Sequence, residues 1–325
     1  VPTNPAILSG LQPSPHRPAV AIRQAGDRQL LVEYGPMKAD LHLNFRVQAL
    51  WQILKDSPID GVVDSAPGFR SLLITFDPAR TSRSRVIAEI AAREQSAPDI
   101  IHLTLPSREV VLPIAFDDSR TREAVSRYRT DTRDDAPNVS GGDNIDYIVR
   151  YNGFDDREEF ISTFLATTWW NGLMGYFPGL PSLFSMDPRT QLTVPKYNPA
   201  RMWTPEGAVA LGGPCVVMYP MEAPGSYQLF GRSIPMRATF DSPRAGESAE
   251  ERNLLRVGDR VRFRRVTEEE LFELRLEVFE NRYRYDIVDS EFAVSEYAAD
   301  VKRHRGEIET VARRRADAAA LVEVP

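Results

Sequence analysis

The sequence predicts an α+β chain: a small α+β unit, then a domain of short strands, then a helical tail. Three observations predict it. Residues 19–105 run in the order strand, strand, helix, strand, strand, helix. Residues 106–265 carry short apolar runs densely punctuated by glycine and proline, the pattern of a β-barrel or sandwich. Residues 266–325 are helix-forming and largely charged.

Residues 1–18 hold Pro2, Pro5, Pro13, Pro15 and Pro18 with little apolar periodicity and are expected to form a linker. With Val1 in place of Met, the chain is expected to be either a processed piece or one cut from something longer. In residues 19–105, strands are expected at 20–23 and 30–34 around a turn at 25–28, and at 61–64 and 71–76 around Pro67-Gly68. A helix over 41–55 would bury Leu43, Val47, Leu50, Trp51 and Leu54, and one over 82–93 would bury Val86, Ile87, Ile90 and Ala91. This order favours an antiparallel sheet with its helices on one face.

Residues 106–265 open on a strand at 110–116, then helices at 120–129, 144–151 and 158–169, and close on a strand at 255–263. In the tail, Thr267 is a good N-cap with Glu270 as its capping-box partner. Residues 295–321 read as one long polar helix, expected to space the site from a neighbouring domain.

Composition excludes several functions. The 325 residues carry a net charge of −6, so nucleic acid is not an expected partner. The longest apolar run, 211–218, is broken by Gly212, Gly213 and Pro214, so no membrane span is expected. Cys215 is the only cysteine, which rules out an intrachain disulfide and suits the cytoplasm. The four histidines, His16, His42, His102 and His304, lack zinc-ligand spacing, so no metal is expected in this chain. Two short matches are set aside: the glycosylation pattern Asn138-Val139-Ser140, and Met37-Lys38, a biotin-attachment pair without room for the surrounding domain.

The densest chemistry lies in Val194-Pro195-Lys196-Tyr197-Asn198-Pro199-Ala200-Arg201-Met202-Trp203-Thr204-Pro205-Glu206-Gly207, followed by Tyr219-Pro220-Met221-Glu222 and Tyr227-Gln228-Leu229-Phe230-Gly231-Arg232. Proline-stiffened loops crowded with Lys, Asn, Arg and Glu suit the positioning of a small polar substrate. They are equally the makings of a structural loop braced by its own ion pairs.

These residues resemble the family of allophanate hydrolase subunit 1, the Kip inhibitor and the B component of 5-oxoprolinase. The resemblance runs through Pro178-Gly179-Leu180, Pro188-Arg189, Pro205-Glu206-Gly207-Ala208-Val209, Gly212-Gly213, Tyr219-Pro220, Pro224-Gly225, Gly231-Arg232 and the closing run at 256–263. The stretch from Lys196 to Glu206 is similar to urea carboxylase and its guanidine-carboxylating relatives. Ser226, where the family usually has glycine, and the pair Gly141-Gly142 depart from the pattern.

The resemblance implies a cyclophilin-like barrel after the small α+β domain. It implies one half of a carboxyltransferase unit, moving a carboxyl group from carboxybiotin to urea, guanidine or a similar amide or amidine nitrogen. It also implies partners: a related second half, a biotin carrier domain, and a biotin carboxylase domain where ATP is used. This chain has no glycine-rich ATP loop of its own. Carboxyl transfer needs a base, tight orientation and a fixed cation or donor. Lys196, Glu206 and Glu222 are therefore the candidate catalytic residues, with Tyr197, Asn198, Arg201, Gln228 and Arg232 as candidate substrate contacts. Lys196, Asn198 and Arg201 are expected to face one cavity; loop bracing is the competing reading for each candidate, strongest for Arg189, Arg232 and Glu222, and Tyr219 is expected to lie in the core. Two other activities are open to this family: part of an ATP-dependent 5-oxoprolinase, and a non-enzymatic module that inhibits a kinase.

Overall fold

The computed structural model describes residues 6–14, 17–236 and 253–325. The chain divides into two compact units, residues 1–106 with 291–299, and residues 107–290 with 300–325.

The first unit contains β1 (Ile7–Leu11), β2 (Val20–Gln24), β3 (Gln29–Tyr34), α1 (Leu41–Asp56), β4 (Val62–Pro67), β5 (Ser71–Phe76) and α2 (Arg83–Ser96). The strands form an antiparallel sheet in the order β1-β2-β3-β5-β4. Period-two alternation turns Leu30, Val32 and Tyr34 of β3, and Leu72, Ile74 and Phe76 of β5, to one buried face. Leu43, Val47, Leu50, Val86 and Ile90 join them in one core, the positions that the helical spacing predicts. Asp40 caps α1 and Ser82 caps α2 by accepting from backbone N–H groups, so neither start leaves every first-turn donor unmet. Arg46 of α1 and Glu94 of α2 form an ion pair at 2.8 Å that is almost wholly out of water. Arg46 also donates to the Pro98 carbonyl at 2.8 Å, and Tyr34 donates to Glu94 at 2.5 Å. Burial, then the Glu94 charge, pushes the Tyr34 phenol well above its usual range.

The second unit holds most of β6 (Thr104–Phe116), then α3 (Ser119–Asp131), α4 (Asn144–Asn152), α5 (Arg157–Ala166), β7 (Trp169–Met174), β8 (Pro181–Ser185), β9 (Arg201–Thr204), β10 (Ala208–Gly212), β11 (Cys215–Met218), β12 (Ala223–Gly225), β13 (Gln228–Ser233), β14 (Arg260–Arg265) and α6 (Glu268–Phe279). β15 (Asp286–Ala293), α7 (Val294–Arg303) and α8 (Arg305–Ala319) follow. Seven strands run β13-β10-β11-β8-β7-β14-β6, and β6 pairs back to β13, which closes a barrel. β14 runs parallel to β6, with Val261 opposite Val110 and Phe263 opposite Leu112. β9 and β12 form a separate two-stranded ribbon. Phe160, Phe164, Trp169, Phe230 and Val261 anchor the core.

Several expectations need correction. Ile7–Leu11 lies inside the stretch read as a linker, yet it is an edge strand. Ile7 and Leu8 are exposed, so backbone pairing with β2 fixes it and apolar periodicity had nothing to show. Pro2, Pro5, Pro15 and His16 fall outside the described residues. The helix expected over 158–169 stops at Ala166, because Thr167, Thr168, Trp169 and Trp170 favour extended backbone. The closing strand starts at Arg260 and not at 255: Asp259 N–H bonds the Arg256 carbonyl at 3.1 Å and makes the segment before it a turn. The tail is not helical throughout, since β15 joins the sheet beside β6. Its long helix is two helices meeting at His304, just before Gly306, a poor helix former. α8 packs on α4, and its buried Arg315 donates to the carbonyls of Arg189 and Gln191.

Removing one partner of a buried ion pair strands the other charge. Arg46→Met is expected to cost about 3–5 kcal/mol in urea unfolding, and adding Glu94→Leu to recover most of that. A loss below about 1 kcal/mol for the single variant would show that the pair is not sequestered as described.

Candidate functional site

The run from Lys196 to Gly207 does not gather its polar side chains in one place. Burial alternates only locally, at Lys196-Tyr197-Asn198 and at Arg201-Met202, and the bend at 198–199 leaves Asn198, Pro199 and Ala200 all exposed. Lys196 is exposed, with its ammonium 4.8 Å from the centre of the Tyr227 ring. Tyr197 is buried and donates its hydroxyl to Asn144 Oδ1 at 2.8 Å. Asn198 is exposed, and its backbone carbonyl accepts from Arg133 at 3.0 Å. Arg201 is 1% exposed, while the next residue, Met202, is 79% exposed. The amine, amide and guanidinium of Lys196, Asn198 and Arg201 therefore do not face a common cavity.

Arg201 and Gln228 work as braces. Arg201 donates to the Tyr227 carbonyl at 2.6 Å and to Thr204 Oγ1 at 3.2 Å, and its guanidinium lies 4.4 Å from the Tyr197 ring centre. Gln228 is fully buried; it donates to the Pro195 carbonyl at 2.8 Å and accepts from Asn138 at 3.1 Å. Asn144 completes the network by accepting from Leu229 N–H at 2.9 Å and donating to the Asn138 carbonyl at 3.1 Å. These contacts lock the loop before β9 onto α4 and β13.

A different set does converge, where β13 meets β6. Glu206 precedes Gly207, and its carboxylate Oε2 accepts from Arg275 of α6. Its other oxygen, Oε1, is buried and has no donor among the described residues. Arg275 also donates to the Ser233 carbonyl at 2.7 Å. Arg232 donates through Nε to the Glu206 backbone carbonyl at 2.9 Å. Its terminal nitrogens have no partner among the described residues. Burial, then the neighbouring Arg275 charge, brings the Arg232 guanidinium below its usual value, opposed by Asp118 and Glu206. Asp118, the N-cap of α3, is 1% exposed, and burial pushes its carboxyl up. Gly207 permits the crowding: its φ is +80°, and an added Cβ would sit 2.7 Å from both Arg275 Nη1 and the Ser233 carbonyl. Among the described residues, a carboxylate oxygen without a donor thus lies near guanidinium nitrogens without acceptors, groups whose chemistry matches an N–H donor and a negative charge.

On the rim, Glu222 is exposed and lies 3.6 Å from Arg120. Trp203 lies between Arg120 and Arg127, with its ring centre 5.0 and 4.3 Å from their guanidinium carbons. Arg189 is held by Asp187 and Glu307, both at 2.8 Å, and Tyr219 is buried. Burial raises the Cys215 thiol to about 12, so it is no thiolate nucleophile near neutral pH. Asn138 is buried, which removes it as a glycosylation acceptor. Among the described residues no group of three or more His, Cys, Asp and Glu could hold a metal ion, and no helix is long and apolar enough to cross a membrane.

The structure thus brings Glu206 and Arg232 together, sets Lys196, Asn198 and Glu222 at the surface, and buries Tyr197, Arg201 and Gln228. Sequence reasoning missed Arg275 and Asp118. Arg275 carried a signal, since it shares the buried face of α6 with Leu271 and Val278, where arginine has no packing reason to be.

Residues 20–246 match a family model described as carboxyltransferase domain, subdomain C and D. The chain is 33% identical over 291 residues to urea amidolyase of Saccharomyces cerevisiae, covering 90% of this chain and 16% of that protein. It is 26% identical over 240 residues to the B component of 5-oxoprolinase from Escherichia coli O157:H7, covering 73% of this chain and 92% of that protein. The crystal structure of Kluyveromyces lactis urea carboxylase superimposes with a TM-score of 0.84 at 30% identity, over 100% of this chain and 29% of that one. The chain spans about a sixth of the curated urea amidolyase it matches.

Gln228→Leu should cost about 1–3 kcal/mol in urea unfolding, because it leaves the buried Asn138 amide and Pro195 carbonyl without their partners. Lys196→Ala, at an exposed position, should change stability by no more than about 0.5 kcal/mol. Equal costs for the two would contradict the division into braces and surface groups.

Proposed function

The chain belongs to the carboxyltransferase-domain family, subdomains C and D, and we propose that it is one half of a unit that moves a carboxyl group from carboxybiotin to a nitrogen of urea, guanidine or a similar amide or amidine. The donor arrives on a carrier domain, a related second half completes the cleft, and a biotin carboxylase domain uses ATP elsewhere in the enzyme. The greater identity to urea amidolyase than to the 5-oxoprolinase component supports this reading, as does the likeness in fold to urea carboxylase along the whole chain. The lone buried thiol accords with a cytoplasmic enzyme.

The observation that supports the proposal is that, among the described residues, Glu206 Oε1 has no donor and the terminal nitrogens of nearby Arg232 have no acceptor. Bound biotin supplies a carboxyl group already attached to nitrogen. Arg232, half-buried and with nitrogens to spare, fits the negative charge of such a donor. Glu206 Oε1 accepts a hydrogen bond from the substrate N–H, takes its proton as that nitrogen gains the carboxyl group, and passes the proton to the ureido nitrogen whose bond to the carboxyl carbon breaks. Arg275 fixes the Glu206 carboxylate through Oε2, which leaves Oε1 for substrate. Arg232 stabilises negative charge from a fixed position, at little reorganisation cost. Lys196 and Asn198, at the surface, contact the ligand from outside, and Glu222 sits on the rim. Tyr197, Arg201 and Gln228 act through the shape of the loop.

Carboxyl transfer by the whole enzyme tests these roles. Glu206→Gln and Arg232→Ala should each lower kcat/KM by about 10²–10³-fold with unfolding unchanged, and Lys196→Ala by about tenfold or less. Wild-type rates for both Glu206→Gln and Arg232→Ala would overturn the reading.

A further inference from the structure

A second feature lies one step along the β13–β6 seam from this site, where α3 and α4 face the start of β13. A cavity of about 220 Å³ opens there, lined in part by Asp117, Val125, Arg129, Asp143, Leu229 and Phe230. That is below the roughly 300–1,000 Å³ of sites for drug-sized molecules, so it suits a small metabolite.

Its two ends differ in charge. At one end Asp117 follows β6 with φ +51°, in the left-handed region, and its N–H bonds the Phe230 carbonyl at 3.1 Å. The Asp117 carboxylate has only long contacts, 3.5 Å to Arg122 and 3.5 Å to Arg157. Arg157 is committed more closely to Asp143 at 2.8 Å and Asp146 at 2.7 Å. Arg122 is also shared with Glu268, at 3.7 Å. Asp117, Asp143, Asp146 and Glu268 thus share Arg122 and Arg157, with Arg150 near Asp146, and among the described residues Asp117 has the longest of these contacts apart from Glu268. Burial, then the Asp143 charge, pushes the Asp117 carboxyl up, as expected where negative charge is under-compensated. Gly142 also lines this cavity. Its φ is +134°, and a Cβ there would meet Asp146 Oδ2 at 2.4 Å, so the glycine lets the acidic end close up.

At the other end stands Arg129, which has no partner among the described residues. It lies seven residues beyond Arg122 on α3, about 10 Å along the axis at 1.5 Å per residue. Between the ends run Val125, Leu229 and Phe230, an apolar wall. Asp117 stands just before α3 and Arg129 in its last turn, so a ligand that touches both must carry its charges further apart than an α-amino acid does. The separation suits a cation and a carboxylate separated by a few methylene groups.

We propose that this cavity binds an ω-guanidino or ω-amino carboxylate, with the cationic end on Asp117 and Asp143, the carboxylate on Arg129, and the methylene chain along Val125, Leu229 and Phe230. The site is separate from the Glu206 and Arg232 cluster and does not rest on the carboxyl-transfer reading.

Calorimetric titration of the whole protein with 4-guanidinobutyrate and 4-aminobutyrate tests it, with guanidinium chloride and butyrate as single-ended probes. At least one two-ended compound should bind saturably, and each single-ended probe about tenfold or more weakly. Asp117→Asn, which keeps a residue type tolerant of the left-handed backbone, and Arg129→Ala, at an exposed position, should each weaken binding by about tenfold, while Glu206→Gln should leave it unchanged. No saturable binding of either two-ended compound at millimolar concentration would overturn the proposal. So would single-ended probes that bind equally well, or binding that falls with Glu206→Gln and survives Asp117→Asn.

Discussion

The pairing of β13 with β6 closes the barrel, and both sites hang from that seam. It sets Arg232 opposite Ala115 and Ser233 opposite Ile114. The strands approach so closely that a Cβ on Gly231 would stand 2.6 Å from the Ala115 carbonyl. Ser233 ties the seam from its side chain, donating to the Pro113 carbonyl at 2.6 Å, and its N–H bonds the Gly207 carbonyl at 2.9 Å. Arg232 is thereby held over the Glu206 backbone and near Asp118. One step along, the bond from Asp117 N–H to the Phe230 carbonyl sets the acidic end of the second cavity. Loosening this seam would disturb both places together.

Buried guanidinium groups recur through the two units, and they serve different ends. Arg46 is matched by Glu94 and is part of what joins α1 to α2. Arg201 has no carboxylate in contact among the described residues; carbonyl, hydroxyl and aromatic neighbours hold it instead. Arg275 spends one nitrogen on a carbonyl and another on Glu206, leaving half of that carboxylate uncommitted. Buried charge of this kind adds little net stability, but it fixes geometry, because removing one member strands the rest. Here it fixes the direction of a carboxylate and of a loop.

Much of the fold was legible in the sequence, and for plain reasons. The spacing of Leu43, Val47, Leu50 and Leu54 marks the face of α1 that joins the core, though α1 is buried all round from Leu43 to Leu50, and the alternation in 71–76 allows only one sheet face. The strand Ile7–Leu11 was illegible because its stability comes from backbone bonds to a partner and not from burial. The site was less legible still. Residue type and loop stiffness marked Glu206 and Arg232, yet they marked Tyr197, Arg201 and Gln228 just as strongly. Which of them turn inward depends on contacts with Asn138, Asn144 and Tyr227, distant in sequence. The environment of Asp117 could not be read at all, since its exceptional backbone and its companions Asp143 and Arg157 meet only in the folded chain.

The account therefore turns on whether a substrate nitrogen reaches the uncommitted oxygen of Glu206. A crystal structure of the whole enzyme with a bound amide or amidine substrate and a carboxylated-biotin mimic decides it most directly. The account predicts a substrate nitrogen within hydrogen-bonding distance of Glu206 Oε1 and the donor's negative charge against Arg232. Both ligands seated on Lys196 and Asn198, with Glu206 Oε1 still without a donor, would contradict it.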